Sequence, residues 1–142
     1  MKPLYHLIVS LILFMVFFLI TGNPWSAVVL VSGFLIDLDH LLDFWLFLGF
    51  KRWYKISGEY YKEIGKALLV AHSLEIIFIL ALFYFLTREI ALAMFIIGYC
   101  VHILMDMVHN YRRGVSQLNF WFIYRALQGF DLKKIAPFFY EN

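Results

Sequence analysis

The sequence predicts an all-α, polytopic membrane protein with four transmembrane helices and a C-terminal interfacial helix. Three observations carry that prediction. Charged residues are only 15% of the 142-residue chain and hydrophobic residues 63%, whereas a soluble domain carries about a quarter charged residues. Its mean hydropathy is +0.79. The apolar residues gather into four runs, each near the roughly 20 residues a helix needs to cross a hydrocarbon core. Basic residues are concentrated in alternate connections between those runs.

The first run, residues 4–20, follows Lys2 and ends at the turn formers Thr21, Gly22, Asn23 and Pro24. The stretch "TGNPW" lacks a small-x-small cleavage pattern, so the run reads as a retained helix. The second run covers 25–50, the third 67–86 and the fourth 90–109. The first is short and the second long, which predicts tilt or an interfacial end. A soluble bundle would show a polar face on every helix. The first and third runs, and the start of the fourth, have almost none.

The connection 51–66 holds Lys51, Arg52, Lys55, Lys62 and Lys66, and the chain beyond the fourth run holds Arg112, Arg113, Arg125, Lys133 and Lys134. The first turn has no base, and the last has only Arg88, beside Glu89. Positive residues stay on the cytosolic side. The expected arrangement is a single helical domain over 1–142 in a prokaryotic cytoplasmic membrane, with both termini, the loop 51–66 and the tail from 110 cytosolic. "YYKEI" (60–64) reads as a short interfacial helix, with Trp53, Tyr54, Tyr60 and Tyr61 at headgroup level. "LNFWFIYRALQGF" (118–130) reads as a helix on the cytosolic surface, with Asn119 as its cap. The net charge of +2 favours membrane lipids with anionic head groups as partners and gives no reason to expect nucleic acid. A homo-oligomer is compatible with the sequence. The single Cys100 excludes an intramolecular disulfide, and no internal repeat or phosphate-binding glycine loop occurs.

"GFLIDLDHLLDFWLF" (33–47) then sets ionisable groups where lipid would disfavour them. Five of the ten acids fall in the predicted spans: Asp37, Asp39, Asp43, Glu75 and Asp106. His40, His72, His102 and His109 accompany them. A charge at mid-bilayer costs at least roughly 2.5 kcal/mol, so each needs a partner, a metal or water. With that topology, Asp37, Asp39, His40 and Asp43 lie in the inner half of the second span. His72 is expected about 1.5 turns into the third span, with Glu75 nearly a turn deeper. His102, Asp106 and His109 occupy the last turns of the fourth. Three helices thus bring polar groups to one depth. At about 100° per residue, Asp39, His40 and Asp43 fall in a sector of roughly 100°, and His102, Asp106 and His109 within roughly 60°.

Imidazoles and carboxylates without thiolates suit one or two divalent cations, zinc or manganese first and iron next. The expected ligands are Asp39, His40, His72, His102 and Asp106, with Asp37, Asp43 and His109 behind them. Glu75 is the candidate general base or orienting group, Asp43 a second carboxylate for that role, and Ser73 a hydrogen-bonding partner for substrate or water. Asn110, Arg112 and Arg113 would hold a phosphate head group. His6 lacks polar neighbours in sequence and is expected at the interface. Gly33 and Gly98 are expected at close helix contacts.

These elements resemble the membrane-bound metal-dependent hydrolase family, whose bacterial members are often labelled LexA-binding inner-membrane hydrolases. The likeness rests on Asp37-Leu38-Asp39-His40, on His72-Ser73, and on His102 followed four residues later by Asp106. It implies a multi-span helical protein with hydrolase activity. The expected function is metal-dependent hydrolysis in the inner leaflet, through metal-activated water, of a phospholipid or lipid-linked phosphoester. A metal-ion transporter or channel, or a non-enzymatic assembly protein with a buried polar network, are the alternatives.

Overall fold

The computed structural model describes residues 3–48 and 60–137. Among these the structure is all-helical, apart from one isolated antiparallel bridge between Lys66 and Asp131. Lys2, the basic cluster Lys51, Arg52 and Lys55, and the aromatic pair Trp53 and Tyr54 lie outside the described residues.

Helix α1 (Pro3–Thr21) begins on a proline, whose missing N–H costs nothing in a first turn. It ends at Gly22, whose φ of +62° suits a residue without a side chain. Asn23 Oδ1 then accepts the Trp25 N–H at 2.9 Å and turns the chain back. The return arm is divided. A 3-10 turn (Pro24–Ala27) leads into α2 (Val28–Leu35), a second 3-10 turn (Ile36–Leu38) and α3 (Asp39–Leu48). The single continuous span expected over 25–50 is therefore broken at Ile36. The Gly33 carbonyl accepts from His102 across the bundle at 2.9 Å, and a side chain entering the backbone ladder is a common cause of such a break.

After α4 (Tyr60–Ile64) the chain runs without regular helix to a 3-10 turn at Val70–His72, and only then enters α5 (Leu74–Thr87). The apolar pattern places the start of this span near Ala67. The reason for the delay lies in distant side chains. Asp43 accepts the Leu68 and Leu69 N–H groups at 2.9 and 3.2 Å, and Asp39 accepts that of Ala71 at 2.7 Å. Arg125 donates to the carbonyls of Leu68, Leu69 and His72. Backbone groups spent on side chains cannot form helical bonds. His72 and Ser73 consequently precede the helix instead of lying within it.

Helix α6 (Ile90–Tyr111) follows a tight turn at Arg88. It runs parallel to α2 in close register. A Cβ on Gly98 would meet Ser32 Oγ at 2.1 Å and the Val29 carbonyl at 2.7 Å, and one on Gly33 would meet Ser10 Oγ of α1 at 1.9 Å. Both glycines thus sit at close helix contacts. The described tail forms a 3-10 turn (Gln117–Phe120), α7 (Phe122–Leu127) and α8 (Leu132–Ile135). The expected cap Asn119 does not cap α7. Its side-chain amide donates to the Ile135 carbonyl, while Glu75 of α5 accepts the Phe122 and Ile123 N–H groups at 2.9 and 3.0 Å.

Helices α1 and α6 are long and apolar enough to cross a membrane; α5 is as apolar but has 14 residues. Apolar side chains cover the outside, among them Leu11, Ile12, Leu19 and Ile20 of α1 and Phe78, Leu82, Phe85 and Leu86 of α5. The buried set includes His6, Ser10, Asp39, Asp43, His72, Ser73, His102, Asp106 and Arg125. One apolar cluster, Ile36, Tyr99, Ile103 and Phe120, packs between α6 and its neighbours; another, built on Phe44, Tyr61, Val115 and Leu132, closes the end that carries the tail.

Candidate metal centre

Three histidines are held so that the same ring nitrogen points inward. His102 Nδ1 lies 2.9 Å from the Gly33 carbonyl, which can only accept. Nδ1 therefore carries a proton, and Nε2 is the nitrogen that faces the cluster. His72 Nδ1 lies 3.3 Å from Asp39 Oδ2, which also takes the Ala71 N–H. His40 Nδ1 is 2.6 Å from the Tyr61 hydroxyl, and that hydroxyl donates to Asp43 Oδ2 at 3.4 Å. For His102 and His72 an acceptor behind the ring puts a proton on Nδ1, and for His40 the Tyr61 hydroxyl can accept from Nδ1 while donating to Asp43. Orientation of this kind is the usual support for a metal-ligating histidine.

The three Nε2 atoms meet two carboxylates. His102 and His72 Nε2 are 3.3 Å apart. Asp106 Oδ2 is 3.4 Å from the first and 3.5 Å from the second. Asp37 Oδ1 is 3.6 Å from His102 Nε2, 3.8 Å from His72 Nε2 and 3.9 Å from His40 Nε2. Ring nitrogens and anionic oxygens packed this closely need positive charge between them, from a proton or a cation. Neighbouring donors on a tetrahedral ion with bonds of about 2.0–2.2 Å lie about 3.3–3.6 Å apart. The donor set and its spacing therefore fit a divalent cation.

His6 completes the group, against the interfacial position expected from its sequence neighbours. It is 1% exposed. Its ring stacks on His102 with centroids 3.9 Å apart, and its Nε2 lies 3.2 Å from Asp106 Oδ1. The available signal is the pair His6 and Ser10, one turn apart in an otherwise apolar helix and both buried in the structure.

The other expected residues take different places. Asp39 and Asp43 stand behind the rings and anchor the segment before α5. Glu75 has both oxygens on the start of α7. Ser73 Oγ accepts from Arg125 at 2.6 Å and donates to the Leu69 carbonyl at 3.4 Å, so the hydroxyl is occupied. Arg125, 2% exposed, also donates to Asn119 O, and its guanidinium spends its donors inside the protein. Burial lowers the Arg125 pKa from its ordinary value, and the charges of Glu75, Asp39 and Asp43 oppose that shift. A cavity of about 250 Å³ begins at His40, His72 and Asp106 and is lined further by His109, Asn110, Arg113 and Asn119. Its apolar lining includes Leu69, Val115, Phe120 and Ile135. His109 thus lines the cavity and stands outside the two donor groups. Arg112 is exposed and does not line it.

No protein-family model, curated protein or solved structure matches this chain.

Proposed function

We propose that the chain is a metal-dependent hydrolase of the inner leaflet, and that its substrate is a phospholipid or lipid-linked phosphoester. The observation that carries this reading is the inward convergence of His40, His72 and His102 Nε2 on Asp37 and Asp106 at the head of a cavity. A cation bound there would supply Lewis acidity to a phosphoryl oxygen. Zinc or manganese fits the donors. The chain's own residues do the positioning. Asp39, the Gly33 carbonyl and the Tyr61–Asp43 pair hold the rings in the ligating tautomer. Arg113 and Asn110 offer donors to an anionic head group along the cavity. The apolar lining suits the beginning of a hydrocarbon chain.

The membrane placement is part of the same proposal. The exterior is apolar and the interior unusually polar, which is the distribution lipid favours. In this reading α1, the α2–α3 arm, α5 with its preceding loop, and α6 form four crossings. Non-helical backbone at such depth is tolerated only where protein satisfies it, and here Asp39 and Asp43 accept the Leu68, Leu69 and Ala71 N–H groups while Arg125 and Tyr99 donate to the carbonyls of Leu68, Leu69, Ala71, His72 and Ser73. The resemblance to membrane-bound metal-dependent hydrolases points the same way.

The test is hydrolysis of a lipid library by purified protein in detergent, with added manganese or zinc. Product should appear, vanish with a chelator and return with metal, and His72→Ala should lower the rate at least 100-fold. No product across the library, with metal bound, would overturn lipid hydrolysis.

A further inference from the structure

We propose that the cluster holds two cations in unequal sites that share Asp37, and that His6 of α1 is a ligand of the deeper one. This rests on reading the cluster as a cation site and adds its stoichiometry and division of labour. The potential ligands fall into two sets, His6, Asp37, His102 and Asp106 in one and Asp37, His40 and His72 in the other, each with ligand atoms within 4.8 Å of one another. Six residues exceed what one tetrahedral ion takes, and only Asp37 belongs to both sets.

Two buried groups without hydrogen bonds support the division. Neither ring nitrogen of His6 has a hydrogen-bond partner, although the ring is buried and its Nε2 is 3.2 Å from Asp106 Oδ1. Asp37 Oδ2 is likewise buried without a hydrogen bond, while Oδ1 faces three imidazole nitrogens at 3.6–3.9 Å. Buried polar atoms without partners are rare in folded proteins. A carboxylate with both oxygens left for cations is suited to bridge two of them.

The two sets differ in access. His6 and His102 are buried and do not line the cavity, and Asp106 is buried and meets it only at its head, so the first set is the more enclosed of the two. His40 is partly exposed, and both His40 and His72 line the cavity. The second set offers three donors among the described residues and leaves a position toward the cavity, the pattern of a catalytic site as opposed to a closed structural one. The deeper cation is thus the tightly held one, and the outer cation is the one that meets substrate.

Metal-free protein in detergent, titrated with manganese and read by elemental analysis and electron paramagnetic resonance, tests this. Two ions per chain are expected at saturation, bound in two steps, with the spectrum of a spin-coupled pair. His6→Ala and His6→Phe, the latter keeping the stacked ring, should each weaken the tight step at least tenfold. His40→Ala should remove the weak step and keep the tight one, and Asp37→Asn should abolish the coupled spectrum. A single ion per chain in the unaltered protein, or unchanged binding in His6→Phe, overturns the proposal. No bound metal would overturn the cation reading as well. Two coupled ions without lipid hydrolysis would uphold this proposal and overturn only the hydrolase.

Discussion

Asp39 shows how one side chain serves both fold and site. Its Oδ2 accepts the Ala71 N–H at 2.7 Å and faces His72 Nδ1 at 3.3 Å. It fixes the loop that delivers His72 and the tautomer in which His72 arrives. Removing such an orienting carboxylate commonly weakens metal affinity 10–100-fold. Asp39→Ala is therefore expected to raise the manganese dissociation constant by that factor while Asp39→Glu recovers part of it; calorimetric titration reads both. His109→Ala should leave bound metal unchanged, because His109 lies outside both donor sets, and elemental analysis checks that. At this scale the sequence is informative where several ionisable residues share a depth. The predicted spans put Asp37, His40, His72, His102 and Asp106 at one depth, and the structure brings them together. His6 is illegible because a lone histidine near a helix end has an ordinary interfacial reading. Asp39, Asp43 and Glu75 are legible as buried acids, but spacing alone does not say whether a carboxylate faces a cation or a backbone N–H.

At the scale of elements, the all-helical architecture follows from apolar runs and composition, and the short helix at 60–64 from its own local pattern. The boundary of α5 does not. "ALLVAHSLE" has good helix formers, yet its first part is unwound because Asp39, Asp43 and Arg125, all remote in sequence, occupy its backbone groups. Tertiary bonds override local propensity here. The contact of α2 with α6 is the opposite case, since Gly33 and Gly98 stand out in the sequence. At Gly98 the obstacle to a side chain includes the Val29 carbonyl, 2.7 Å from an added Cβ. Backbone yields less readily than the Ser10 side chain, whose Oγ can rotate away although its Cβ, 2.9 Å from a Cβ added at Gly33, cannot. Gly98→Ala is expected to destabilise the fold by about 1–3 kcal/mol, more than Gly33→Ala, whose nearest contact is the Ser10 side chain. Thermal unfolding in detergent ranks the two, and equal midpoints would show that α2 and α6 are less tightly apposed.

At the scale of the molecule, register determines where the site sits. Ser10 meets Gly33, His6 meets Asp106, Val29 meets Gly98 and Gly33 meets His102. The turns at Gly22 and Arg88 therefore lie together at one end, and the cluster lies toward the other. His6 is about 24 Å along the helix from Gly22, and Asp106 about 27 Å from Arg88, at 1.5 Å per residue. Those spans approach the roughly 30 Å of a hydrocarbon core, so a bilayer centred on the apolar belt would set the cluster near one headgroup layer. Thiol labelling of intact cells gives the decisive measurement. In a Cys100→Ser background, Asn23→Cys and Arg88→Cys should react with a membrane-impermeant reagent. Gly114→Cys, just beyond α6, should react only after the membrane is opened. Labelling of Arg88→Cys and Gly114→Cys from the same side would mean that α6 does not cross. The inner-leaflet position of the site would then fall, whatever the cluster binds.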